Sequence, residues 1–339
     1  MPSHPALRGR KTKPAGLRTA LCLTLWLAAA AWSSSPLRAD TVCIIIHGLG
    51  GLAEYEENFV KWSEGLEKAF QDRAAANVYR LDGRSLRRGD ILATLRDATA
   101  SLQPDSEVWL FLVGHANVNQ SQYKFNIKGP DLTGDDLEEF LDGLAESRVY
   151  LVAATSSSGG LAEHLGAPKR VVITATRSAF ERYPPLFLSF LLESIESAEA
   201  DTDKDGKISL LESYLFSRNK VAQWFTDRGR IQVEHPLLDD QAKVRLGEKK
   251  KGGQDQQPEP SGVGLLASAA YLSTPPEKAY RTLQARQLAQ QRTGLEREIA
   301  SLKFQKAELP QEEYYKKLEV LLIRLAQLNE RISQLEGEQ

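Results

Sequence analysis

Val108-Trp109-Leu110-Phe111-Leu112-Val113 runs into Gly114-His115-Ala116, and Val149-Tyr150-Leu151-Val152-Ala153-Ala154 runs into Thr155-Ser156-Ser157-Ser158-Gly159-Gly160. Unbroken apolar runs of this length, stopped by small and polar residues, suit strands buried on both faces, as in a mainly parallel sheet. Val42–Ile46 and Val171–Ala175 read the same way, and Asn77–Leu81 is read as a further strand. Between the first two, Leu52, Tyr55, Phe59, Trp62, Leu66 and Phe70 recur at steps of three and four, which predicts a helix with one buried face. Further helices are predicted near 90–102, 134–146 and 159–166, the second with Thr133 as N-cap and Asp136 closing a capping box. Gln122–Lys128 alternates and predicts a small hairpin. Strands alternating with helices over residues 40–247 give an α/β fold with helices on both faces of the sheet.

In open α/β sheets ligands bind in the crevice beyond the carboxyl ends of the strands. If the two quoted strands are neighbours, His115 and the serine cluster face one crevice, as a base and a hydroxyl nucleophile require. The Gly159-Gly160 pair would then present backbone N–H groups to an oxyanion.

At these residues the chain resembles the legumain/caspase clan of cysteine peptidases, and the legumain-like family most. That clan has a strand ending in His-Gly and a later strand leading to Cys-x-Ser-Gly. Gly114-His115-Ala116 is similar to the first motif with Ala116 for Gly, and Ser156-Ser157-Ser158-Gly159 to the second with Ser156 for Cys. The resemblance spans roughly 40–240 and implies a caspase-like sheet. It also implies a dyad of His115 and Ser156, with oxyanion or crevice groups at Ala116, Ser158 and Gly159. A cysteine beside histidine is already partly thiolate near neutral pH, whereas a serine hydroxyl needs a well-aligned base. No acid is fixed beside His115 by the sequence. The preferred expectation is therefore a non-catalytic pseudopeptidase that binds peptide or protein partners. The alternatives are a serine-type hydrolase using Ser156 and His115, and a coiled-coil adaptor or scaffold of the cell envelope.

Ile44-Ile45-Ile46-His47-Gly48-Leu49-Gly50-Gly51 looks like the oxyanion loop of α/β-hydrolases. No Gly-x-Ser-x-Gly elbow accompanies it, so His47 and Gly48 are read as crevice residues on a tight strand-to-helix turn. Cys43, in an Ile-rich strand, reads as core. No Walker A or Gly-x-Gly-x-x-Gly spacing supports nucleotide binding.

Asp201-Thr202-Asp203-Lys204-Asp205-Gly206-Lys207-Ile208-Ser209-Leu210-Leu211-Glu212 fits the twelve-residue EF-hand loop. Asp201, Asp203 and Asp205 offer hard oxygen ligands, Gly206 allows the sharp turn, and Lys207 and Ser209 hold the seventh and ninth positions. Glu212 closes the loop. The expected ion is Ca²⁺. Because the loop occurs once, a structural clamp is expected rather than a switch.

Residues 1–39 carry six basic side chains and no acid, with an apolar run from Ala20 to Trp32. This is the order of a signal peptide, with cleavage expected near Ala39 and an uncleaved anchor as the alternative membrane attachment. Without that segment, 37 basic side chains face 45 acidic ones, which argues against nucleic-acid binding. From the signal-like order the protein is expected to be exported, periplasmic or secreted. A linker is expected over 248–274. Beyond it Leu295, Ile299, Leu302 and Leu309, then Leu318, Leu321, Leu325, Leu328, Ile332 and Leu335, predict a helical hairpin or coiled coil over 275–339, a possible route to a homo-oligomer.

Overall fold

The computed structural model describes residues 41–71, 76–203, 206–240, 264–273, 282–304 and 309–337. The expected signal segment 1–39 lies outside them, as does Asp205. Among the described residues, no helix is long and apolar enough to cross a membrane.

Six strands form the main sheet: β1 (Thr41–His47), β2 (Ala76–Asp82), β3 (Glu107–Gly114), β7 (Arg148–Thr155), β8 (Arg170–Thr174) and β10 (Leu237–Asp239). Their spatial order is β2-β1-β3-β7-β8-β10, all parallel except β10, which pairs antiparallel with β8. The register aligns the carboxyl ends: His47 lies opposite Asp82 and Val113, and Gly114 opposite Thr155. The chain leaves β1 to form β2 on one side and then β3 on the other, so the switch point of the topology lies between β1 and β3.

Side chains alternate across each strand, and both faces are buried except at the edge strand β2, where Asn77, Tyr79 and Arg80 are exposed. Cys43, Ile45, Trp109, Phe111 and Val152 pack against α1 (Ala53–Gln71) through Phe59, Leu66 and Phe70, and against α5 (Phe187–Glu196) and α6 (Leu210–Asp227). Ile44, Ile46, Leu110, Leu112 and Leu151 pack on α2 (Arg88–Thr99), α3 (Gly134–Asp142) and α4 (Gly159–Leu165). The Thr133 cap forms as expected, its hydroxyl accepting from Asp136 N–H, although α3 stops four residues short of the predicted end.

The hairpin expected within 122–128 is instead a single strand, β5 (Gln122–Phe125), the middle of a small three-stranded sheet with β4 (Ala116–Asn119) and β6 (Leu132–Thr133). Gln120 and Ser121 both have positive φ, the backbone of a two-residue turn whose twist matches the flanking strands.

The expected linker 248–274 needs correction at its C-terminal end. Residues 265–268 form a short helix, α7 (Leu265–Ser268), and 271–273 form β11 (Tyr271–Ser273), which pairs antiparallel with β9 (Ile208–Ser209). Ala267, Ala270 and Leu272 are buried in the core, and Asp240 accepts the Gly264 and Leu266 N–H groups at 2.9 Å each. Polar, breaker-rich composition ends near Pro260; from Val263 onward the sequence is apolar enough to be recruited.

The C-terminal helices α8 (Leu283–Phe304) and α9 (Gln311–Glu336) pack through Leu295, Ile299, Leu302, Tyr314 and Leu321, with Leu325 and Leu328 alongside. Gly337 closes α9 in the left-handed conformation, its N–H on Ser333 C=O.

Candidate functional site

The carboxyl ends of β1, β3 and β7 bring together the residues singled out in the sequence. His115 follows β3 and lies half-buried, its ring edge-on to Tyr55 and Phe59 at 5.1 Å from each. Its Nε2 is 3.1 Å from Gly50 C=O, so Nε2 carries the proton and donates it there. Burial lowers the His115 pKa, opposed by the Gly50 carbonyl and Glu56. Gly50 is itself held by its N–H on Glu56 Oε1 at 2.8 Å.

Ser156, just past β7, is 3% exposed. Its hydroxyl donates to Ala116 C=O at 2.7 Å and accepts from Ala116 N–H at 3.1 Å. The Gly114–Thr155 register pair fixes this meeting, since it sets the residues that follow β3 and β7 side by side. Thus His115 and Ser156 follow neighbouring strand ends, yet each spends its proton on a backbone carbonyl, and no hydrogen bond joins them among the described residues. The Ala116 N–H, expected as an oxyanion donor, is occupied by the hydroxyl itself.

The remaining serines brace the loop after β8. Ser158 Oγ accepts from Thr176 N–H at 3.1 Å, and Gly159 N–H donates to Thr176 Oγ1 at 3.0 Å. Ser157 sits at φ +54°, an uncommon conformation for a non-glycine residue, with its N–H on Glu181 C=O at 2.8 Å.

His47, at the end of β1, is buried with Nε2 3.1 Å from Asp82 Oδ1 but out of line for a hydrogen bond. Burial lowers its pKa, while hydrogen bonds from Arg84 hold Asp82 down at about 2. The pair is therefore a neutral imidazole beside a carboxylate already committed to Arg84. Gly48 is required by packing: a Cβ there would lie 2.4 Å from Asn126 C=O.

A latch absent from the sequence reading joins the loops after β8 and before β10. Glu181 accepts from His235 Nδ1 at 2.6 Å, from His235 N–H and from Arg177 N–H, both at 3.1 Å. Next to it the buried Glu234 accepts Leu186 N–H at 2.8 Å and Phe187 N–H at 2.7 Å, capping α5. Burial pushes Glu234 up to about 7 against the pull of those two donors, with nearby Glu181 adding to the rise. Apart from the local Arg177 N–H, these partners lie 47 to 54 residues apart in the chain, and no local motif announces them.

Away from the crevice, carboxylate oxygens of Asp201, Asp203 and Glu212 lie within 4.8 Å of one another and could hold a metal ion. Gly206 has φ +79°, and its N–H reaches Asp201 Oδ2 at 3.1 Å. Glu212 Oε1 accepts from Thr202 N–H, and Oε2 from Ser209 N–H, each at 2.9 Å, so the closing carboxylate also caps α6. Lys207 turns outward onto the Tyr271 ring and an ion pair with Glu296 of α8, leaving the centre of the cluster to carboxylates. Leu210 N–H on Ala270 C=O at 2.7 Å ties the loop's exit to the residue before β11.

No family model and no curated protein matches this sequence. Among solved structures, the chain is similar to caspase-1 from Spodoptera frugiperda at 12% identity and TM-score 0.41, covering 60% of this chain and 88% of that one. A protein from Geobacter sulfurreducens gives 11% and 0.40 over 60% and 93% of the two chains. A secreted C11 cysteine protease from Bacteroides thetaiotaomicron, solved with an irreversible peptide inhibitor, gives 10% and 0.34 over 54% and 59%.

Proposed function

We propose that this is an exported pseudopeptidase: a caspase/legumain-like domain that has kept the crevice and lost the chemistry, and that engages peptide or protein partners. One observation carries this reading, the Ser156 hydroxyl bonded to both backbone groups of Ala116. A working serine nucleophile must be reachable and must hand its proton to a base. Here the hydroxyl is buried, its proton lies on a carbonyl, and it fills the place of the oxyanion. Ser156 acts as a clamp between β7 and β4.

A fluorophosphonate probe is expected to leave the folded protein unlabelled. Ser156→Ala is expected to lower stability by about 1–3 kcal/mol, because Ala116 then keeps a buried N–H and C=O without their partner. Labelling of the wild type that Ser156→Ala abolishes would overturn the reading in favour of a Ser156/His115 hydrolase. Ser156→Cys, assayed for peptide cleavage, asks whether the rest of the dyad survives.

The acidic loop is read as a structural Ca²⁺ site formed by Asp201, Asp203 and Glu212, whose hard oxygens suit that ion. Ca²⁺ is expected to raise the melting temperature, and Asp201→Ala to abolish the rise; equal melting with Ca²⁺ and with chelator would refute it. Export is supported by the basic and then apolar order of residues 1–39.

A further inference from the structure

Three of the large apolar side chains that stand furthest into solvent sit on the two latched loops beyond the sheet's carboxyl ends. Phe180 is 83% exposed, Tyr183 67% and Ile231 87%. A peptide groove covers its own walls, so side chains this bare are loop tips rather than the lining of a cleft. The latch fixes the tips relative to each other, since Glu181, flanked by Phe180 and Arg182, is bonded to His235, four residues beyond Ile231.

The same loops run against the charge of the chain. Arg182, Arg228 and Arg230 are exposed there, with Asp227 the exposed acid on the same stretch, while Glu181 is engaged by Arg177 and His235 and Glu234 is buried. Arg228 and Arg230 both lie over the half-buried Trp224 ring, at 4.2 and 5.7 Å, which holds their guanidinium groups at the end of α6. Bare aromatic and aliphatic tips ringed by arginine fit the boundary between acyl chains and headgroups. The tips enter the apolar side and the guanidinium groups meet phosphate.

We infer that the loops 176–186 and 226–236 form a docking surface for an anionic lipid bilayer, set on the carboxyl-end edge of the sheet. The rest of residues 40–247, a stretch with 23 basic against 32 acidic side chains, is repelled by such a surface, which orients the domain with these loops toward it. The inference goes beyond the pseudopeptidase reading and stands whether or not Ser156 reacts, so probe labelling and vesicle binding fail independently.

The test uses the full chain with vesicles of phosphatidylcholine alone or mixed with phosphatidylglycerol, read by co-sedimentation and by hydrogen exchange. The exchange readout is local and separates these loops from any contact made by the basic N-terminal stretch. With mixed vesicles, amides of 176–186 and 226–236 are expected to exchange more slowly, an effect lost in high salt and with neutral vesicles. Arg228→Gln with Arg230→Gln should weaken this protection by about 10-fold or more, from the attraction each cation contributes near an anionic surface. Phe180→Ser with Ile231→Ser should abolish it; both pairs are exposed and should leave the melting temperature unchanged. Sedimentation without protection of these loops, protection that survives both double variants, or no sedimentation at all would each overturn the proposal, the last favouring a soluble protein partner.

Discussion

Gly159→Ala is expected to destabilise the protein by about 3 kcal/mol, the upper range for forcing atoms into a filled space. In a chain of this size that is a fall of roughly 5–10 °C in melting temperature. The cause is not backbone conformation, since Gly159 begins α4 with ordinary helical geometry. A Cβ built there would lie 2.2 Å from Ser178 N and 2.3 Å from the Arg177 carbonyl carbon, and backbone cannot swing aside as the end of a side chain can. The loop after β8 crosses directly over the start of α4, and Thr176 ties it down through Ser158 and Gly159. Pushing that loop away would also strain the Ser157 N–H bond to Glu181 C=O and so disturb the latch. Thermal unfolding of the single variant checks this. A melting temperature within a degree or so of wild type would mean the loop does not hold this position.

The second large effect is a dependence of stability on pH set by Glu234. Its folded pKa, raised to about 7, lies above the ordinary 4.5, so the fold prefers the protonated carboxyl. The stabilisation is fully present below about pH 4.5 and is lost as the pH rises through about 7. A difference of that size corresponds to about 3 kcal/mol between the two limits. Glu234→Gln stays neutral throughout. The difference in unfolding free energy between variant and wild type should therefore change by about that amount between about pH 5 and pH 8, in the direction that favours the variant at high pH. The variant carries a pH-independent penalty, because an amide offers one acceptor where the carboxyl group now accepts from both Leu186 and Phe187 N–H. A constant difference across that window would show that the two N–H donors outweigh burial and keep Glu234 ionised.

β1, β3, β7 and β8 were legible because burial on both faces writes itself as uninterrupted apolar residues, and α1 because its stripe recurs from Tyr55 to Phe70, although Leu52 proved exposed just ahead of the helix. That His115 and Ser156 follow the ends of neighbouring strands was legible for the same reason. What the Ser156 hydroxyl does there was not. It depends on the register of β3 against β7, which sets Ala116 rather than His115 within its reach, and register between distant strands leaves no local trace. β11 escaped notice because three residues carry too little pattern to stand out, and its partner β9 lies inside the acidic loop. The Glu181–His235 and Glu234–Leu186 contacts are purely tertiary, made by residues that look like ordinary loop composition.

The pairing of β11 with β9 redraws where the globular body ends. A fragment stopping at Gly247, where polar composition begins, would strip Asp240 of both N–H groups it caps and Leu210 N–H of its acceptor. It would also bare the core around Leu272 and leave β9 as an open edge next to the acidic cluster, a ready template for pairing with another chain. A piece that keeps β11 against β9 must therefore run at least through Ser273, and one that also keeps the Lys207–Glu296 ion pair must reach into α8. Residues 264–273, read in the sequence as the end of a tether, are the last course of the wall.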